Sequence, residues 1–230
     1  MTKPYVRKKT TIGKFTVWIV DGEWIRSNKD EEFTNFGQHY RYKFIPKDEL
    51  WIDQEAKPDE SRFFVAHMLT EYRKMEEGAS YATALKAADK VEKTERKRTE
   101  KTTEEAGEIS SGAMTQNHVK ISPLGRLKDG TQIELVDGEK VRDLYDIDWT
   151  EGGHGLVYKF IPNDEIWIDD DVKRDERKFI ILHEATERDL MKSGVKYEEA
   201  HKRASDIEWK YRHNPDNITA AIGATKHASN

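Results

Sequence analysis

Two hydrophobic periods take turns along the chain. Thr16-Val17-Trp18-Ile19-Val20 is a run of β-formers, followed by Asp21-Gly22 and then Glu23-Trp24-Ile25-Arg26. Asp-Gly suits the positive φ of a type I′ turn, so the pattern predicts a β-hairpin. A glycine-bearing loop, Phe36-Gly37-Gln38, leads to two short predicted strands, Tyr42–Ile45 and Leu50–Ile52, joined by the turn residues Pro46 to Glu49. After these the period changes. Further along, Phe179, Ile180, Leu182, His183, Thr186, Leu190 and Met191 recur every three to four positions, which predicts a helix that ends at Gly194. A second helix is expected from about Tyr197 to Tyr211, with Tyr197, Ala200, His201, Ala204 and Glu208 on one stripe.

The same pattern occurs twice. YKFIPKDELWID starts at Tyr42 and YKFIPNDEIWID at Tyr158, an offset of 116. From Tyr42 to Arg96, 25 of 55 positions are identical at that offset, and Val20-Asp21-Gly22-Glu23 returns as Val136-Asp137-Gly138-Glu139. A unit near 90 residues can bury its own core, so this is a duplicated domain rather than a solenoid. The expected organisation is a first copy at 10–98, a polar Lys/Glu/Thr-rich linker at 99–120, a second copy at 121–213 and a flexible tail at 214–230. Each copy reads as a small antiparallel β-sheet followed by an αα-hairpin, an α+β fold.

Composition narrows the chemistry. The 230 residues contain no cysteine, which excludes disulfides, thiolate metal sites and a thiol nucleophile. Thirty-nine Lys and Arg against 44 Asp and Glu give a net charge of -5, which speaks against a dedicated nucleic-acid binder. No apolar run approaches the roughly 18 residues of a membrane span. The N-terminal stretch lacks the apolar segment of a signal peptide. The expectation is an intracellular chain, cytoplasmic or packaged into a virion from inside a cell.

The candidate chemistry lies in His183-Glu184-Ala185-Thr186-Glu187 and in His201. Residues four apart share a helix face, so His183 and Glu187 can address one ion. Glu184 lies about 100° round the helix. In a hairpin turning at Gly194, Glu187 and His201 are each seven residues from the turn and should oppose each other. His, Glu and His form an acceptable Zn²⁺ set with a fourth position left for water. The first copy has His67 and Glu71 but Met68 for Glu184 and Leu85 for His201, so it should be inactive. A second reading makes each His–Glu pair a structural hydrogen-bonded pair that fixes the helix against the Trp51 or Trp167 strand.

The stretch 183–201 resembles the zincin-type metallopeptidase signature, in which two helical ligands flank a glutamate base. It departs from that pattern with Glu187 where a second His is usual and His201 where a Glu is usual in one branch. The resemblance implies Glu184 as the catalytic base. The layout of a YKFIP-type strand before an HE-rich hairpin also resembles small uncharacterised phage and mobile-element proteins.

His154, within Gly152-Gly153-His154-Gly155, could supply a ligand or a substrate contact, the alternative being an exposed His in a glycine-rich connection. Trp18 and Trp24, replaced by Glu134 and Lys140 in the second copy, would form an aromatic hairpin suited to a protein partner. Trp51 and Trp167 are expected in the core. The acidic run Asp169-Asp170-Asp171, with Asp175-Glu176, reads as helix charge and solvation rather than a calcium loop. Two functions follow: a zincin-like metal-dependent hydrolase acting on a peptide through the second copy, or a non-catalytic duplicated module that binds a protein partner.

Overall fold

The computed structural model describes residues 2–100 and 118–225. The chain divides into two compact units, Met1–Met114 and Thr115–Asn230. Each unit is α+β. Unit 1 runs β1 (Tyr5–Ile12), β2 (Phe15–Val20), α1 (Gly22–Asn28), β3 (Phe36–Gln38), β4 (Glu49–Asp53), α2 (Ser61–Glu76) and α3 (Tyr81–Glu100). Unit 2 repeats it as β5 (Lys120–Leu127), β6 (Gln132–Val136), α4 (Gly138–Leu144), β7 (Gly152–His154), β8 (Glu165–Asp169), α5 (Arg177–Lys192) and α6 (Tyr197–His213), then adds α7 (Ile218–Ile222) and β9 (Ala224–Thr225). Most of the expected linker lies outside the described residues, and its last residue, Lys120, already opens β5.

The strand orders are β1-β2-β4-β3 and β7-β8-β6-β5-β9. The outer pairs are antiparallel, but the central pair is parallel, with Thr16 beside Glu49 through Val20 beside Asp53. Side chains alternate across this sheet. Phe15, Val17, Ile19, Leu50 and Ile52 face α2, where they meet Phe64, Met68 and Tyr72. Val20 and Trp51 face the other way, onto Ile25, Phe33, Tyr42 and Ile45. Covered on both faces, β4 is buried from Leu50 to Asp53. The edge strand β1 escapes a hydrophobic reading because Arg7 to Thr11 are exposed, and its charges suit the outermost strand of a sheet.

The Asp-Gly pair does not make a hairpin. Asp21 is the N-cap of α1, accepting from the Trp24 N–H at 3.0 Å. Gly22 is required by proximity rather than by φ. A Cβ there would lie 1.7 Å from Asp53 Oδ2, and one at Gly138 would lie 2.1 Å from Asp169. The carboxylate that fills this space is held by a buried arginine, Arg26 to Asp53 at 2.8 Å and Arg142 to Asp169 at 2.7 Å. One packing unit thus accounts for three repeated features: the VDGE stretch, the arginine that follows it, and the WID aspartate.

The glycine loop and the first predicted strand exchange roles. Phe36–Gln38 is β3, whereas Tyr42–Ile45 is an irregular cover over the sheet. Gly37 has no side chain because the Tyr42 ring occupies that place, 2.6 Å from where a Cβ would be. The helical hairpins match their pattern. At Gly78 and Gly194, both at φ +92°, the chain leaves α2 and α5 through paired bonds, Ala79 N to Lys74 O and Val195 N to Leu190 O among them. Of the segment expected as a flexible tail, 214–225 is instead folded onto unit 2, and 226–230 lies outside the described residues. Ile218 is buried against Phe179 and Leu182, and β9 pairs with β5.

Candidate metal centre

Small residues bring α5 and α6 together. Ala200 and Ala204 are fully buried on α6, and His183 and Glu187 lie one turn apart on the buried face of α5. His183 Nε2, His201 Nδ1 and Glu187 Oε2 then form a triangle with sides of 3.1, 3.7 and 2.8 Å. Bonds of about 2.0–2.1 Å at tetrahedral angles set neighbouring ligand atoms about 3.3 Å apart. The triangle is small enough for one ion to touch all three atoms, and these three residues form a group that could hold a metal ion. His183 and Glu187 are buried, while the His201 side chain is 34% exposed and stacks on Tyr197.

Behind the triangle stands a charged chain that sequence reasoning missed. His183 Nδ1 donates to Glu208 Oε2 at 3.0 Å, Arg212 donates to Glu208 Oε1 at 2.8 Å, and Arg212 also bonds Glu176 at 2.7 Å. This turns His183 Nε2 toward the triangle, the usual outer arrangement behind a ligating histidine. Burial alone would lower the His183 pKa, but the Glu187 and Glu208 carboxylates hold it well above the ordinary value. Uptake of an ion would displace the Nε2 proton. Glu176 was expected to complement the helix dipole; its side chain instead makes no cap bond and is buried on Arg212. The signal was present in the sequence, since Glu60, Glu92 and Arg96 stand at the matching positions of copy one.

Unit 1 keeps that chain and lacks the triangle. His67 Nδ1 meets Glu92 at 2.9 Å, Arg96 bonds Glu92 at 3.1 Å and Glu60 at 2.7 Å, and His67 Nε2 lies 3.4 Å from Glu71. Leu85 stands in place of His201. Burial would lower the His67 pKa, yet its hydrogen bonds to Glu71 and Glu92 raise it from 6.5 to about 9. A pKa raised on folding stabilises the fold fully below the unfolded value and ceases to do so as pH rises through the folded one. His67 should thus stabilise unit 1 by about 3 kcal/mol below pH ~6.5, and the stabilisation should fade through pH ~9. Denaturation of wild type and His67→Gln should show a stability gap that narrows from pH 6 to pH 10; a constant gap would contradict it.

His154 is fully buried, which removes it as an exposed substrate or partner contact. The close approach expected of its glycines is real, since a Cβ at Gly152 would lie 2.8 Å from Ile180. His154 Nδ1 accepts from the Leu156 N–H at 3.2 Å, so Nε2 carries the proton and donates to Glu187 Oε1 at 3.0 Å. Unit 1 has the same donor–acceptor arrangement at the matching position with a different residue. Gln38 Oε1 accepts from the Tyr40 N–H at 2.6 Å, and its amide nitrogen donates to Glu71. A glutamine amide can only donate at nitrogen. His154, Glu184 and Glu187 form a second close group, but the bound Nδ1 makes His154 an orienting donor for Glu187 rather than a ligand.

Glu184 is half-buried beside this cluster, and burial pushes its pKa up to about 7 against the pull of His183 and His154. Glu187 is driven the other way. Burial would raise it, but hydrogen bonds from His154, His183 and His201 hold it well below the usual carboxylate range.

The remaining candidates separate from the site. Trp18 on β2 and Trp24 on α1 are half-buried against the cluster around Trp51, so no exposed aromatic hairpin exists among the described residues. Trp51 and Trp167 are core, each donating its Nε1–H to a glutamate at 2.7 Å. Asp169 and Asp171 are drawn onto Arg142 at 2.7 and 3.4 Å, which neutralises charge that a cation would need. No described helix is long and apolar enough to cross a membrane. Compared with known proteins, the chain matches no family model, and no curated protein or solved structure shows significant similarity to it.

Proposed function

We propose that unit 2 is a Zn²⁺-dependent hydrolase centre acting on a peptide bond, with unit 1 as a non-catalytic partner domain. The observation that carries this reading is the triangle of His183, Glu187 and His201, each member fixed by a further residue or ring. Bound there, the ion would supply Lewis acidity to a scissile carbonyl. His183, Glu187 and His201 would hold it. Glu184, with a pKa near neutrality, would take a proton from the attacking water and return it to the leaving amine. His154 would keep Glu187 facing the ligand position.

The competing reading, a duplicated module that binds a protein and performs no chemistry, draws on unit 1, where the His–Glu–Arg chain persists without the triangle. Metal analysis of tag-free protein separates the two. Hydrolase chemistry requires about one equivalent of zinc in wild type, little in His201→Ala, and full occupancy but no peptide hydrolysis in Glu184→Gln. Absence of bound metal from wild type reconstituted with zinc would overturn the proposal.

A further inference from the structure

The two units differ at one outer edge. In unit 2 the free edge of β5 is covered. Backbone pairing joins Arg126 to Thr225 and Leu127 to Ala224, and Ile222 packs onto the cluster that contains Leu127, Ile180 and Ile181. In unit 1 the turn after β1 is one residue shorter, so Thr11 and Ile12 stand where Arg126 and Leu127 stand, as their pairings with Thr16 and Phe15 show. Val65 corresponds to Ile181. Among the described residues no strand pairs with the outer edge of β1. An open groove of about 450 Å³ lies there instead, lined by Lys9, Thr10, Ile12, Pro58, Arg62 and Val65 among others.

The element that covers unit 2 begins with a sharp stop. α6 ends at His213, Pro215 follows, and the chain turns into α7. Unit 1 has Thr99 at the Pro215 position, and α3 continues to Glu100, past the point where α6 ends. Among the described residues, unit 1 therefore shows no counterpart at this groove of the segment that unit 2 folds onto itself.

We propose that this groove is a docking site for an extended segment of another protein. The segment would add a short antiparallel strand to Thr11 and Ile12, as β9 does to β5. One apolar side chain before that strand would rest on Ile12 and Val65, in the manner of Ile222. The groove's charged lining is Lys9, Arg62 and the single carboxylate Asp59, all exposed, with Arg7 and Lys8 exposed further along β1, so the balance is positive and acidic residues on the segment would face Lys9 and Arg62. Backbone pairing would give affinity, and the apolar seat and the charge would give selection. The inference stands apart from the metal centre and survives its failure.

The probes are two synthetic peptides, one copying residues 216–225 and one with two glutamates added at its C-terminus, titrated into isotope-labelled full-length chain. The expected result is saturable amide shifts at Thr10, Thr11 and Val65, with a midpoint below about 1 mM. The acidic peptide should bind about threefold more tightly at low salt, the advantage shrinking as salt rises. A peptide with aspartate at the Ile222 position should not bind, and Val65→Glu in the chain should abolish the shifts. The peptide change keeps the experiment decisive should Val65→Glu fail to fold. No shifts up to about 5 mM would overturn the proposal. So would shifts confined to unit 2, or the same unit 1 shifts on concentrating the chain alone, which would give the groove to a second copy.

Discussion

Replacing Arg212 with methionine should destabilise unit 2 by about 3–5 kcal/mol, because it strips the cation from two carboxylates that remain buried. The Arg212, Glu176 and Glu208 side chains are all at most 4% exposed. Methionine keeps the apolar stem that lies over Phe179 but not the guanidinium, which sits 4.7 Å from that ring. A loss of this size is a large share of the 5–15 kcal/mol typical of a folded domain. Hydrogen exchange resolved by segment should show amides of α5 and α6 losing protection while those of unit 1 keep theirs. Arg96→Met should produce the mirror result in unit 1. A loss below about 1 kcal/mol would mean that the ion chain is replaceable by apolar packing, as some buried ion clusters are.

The second large effect is a gain. Leu85→His in unit 1 should raise zinc uptake from about one to about two equivalents per chain, since His67 and Glu71 already stand 3.4 Å apart and the new imidazole completes the set. The supporting groups are in place, with Glu92 behind His67 and Gln38 donating to Glu71. Leu85 is half-buried, so the new ring replaces an apolar side chain at the rim rather than in the sealed core. No hydrolytic gain is expected, because Met68 occupies the Glu184 position inside the core of unit 1. Titration with a zinc-displaceable chromophore would read the stoichiometry. Binding that stays near one equivalent while wild type binds would show that the triangle depends on features unit 1 does not share.

What the sequence disclosed follows the length scale of each signal. The helical hairpins and the approach of His183, Glu187 and His201 depend on periodicity over a dozen residues and on one glycine turn, so they were legible. The duplication was legible as identity at a fixed offset. Asp21-Gly22 was misread because two physical demands select the same dipeptide. A type I′ turn wants Gly for positive φ, whereas this site wants it for the absent Cβ beside Asp53. The parallel central pair, the packing of Ile218 on α5 and the pairing of Ala224 and Thr225 with β5 are non-local contacts with no periodic trace. The charged chain from His183 to Glu176 was hidden among helix-surface residue types. Only its recurrence as Glu60, Glu92 and Arg96 marks it, and recurrence does not say which partners meet.

The bond between Arg212 and Glu176 also has a mechanical consequence. Glu176 precedes the first turn of α5 and Arg212 lies in the last turn of α6, so the ion pair clasps the open end of the hairpin, while the turn at Gly194 closes the other. The two helices form a closed frame rather than a pair of tongs. They cannot spread to admit a chain between them without breaking a buried clasp. The cluster meets solvent at its flank instead, at the exposed edge of His201 where it stacks on Tyr197.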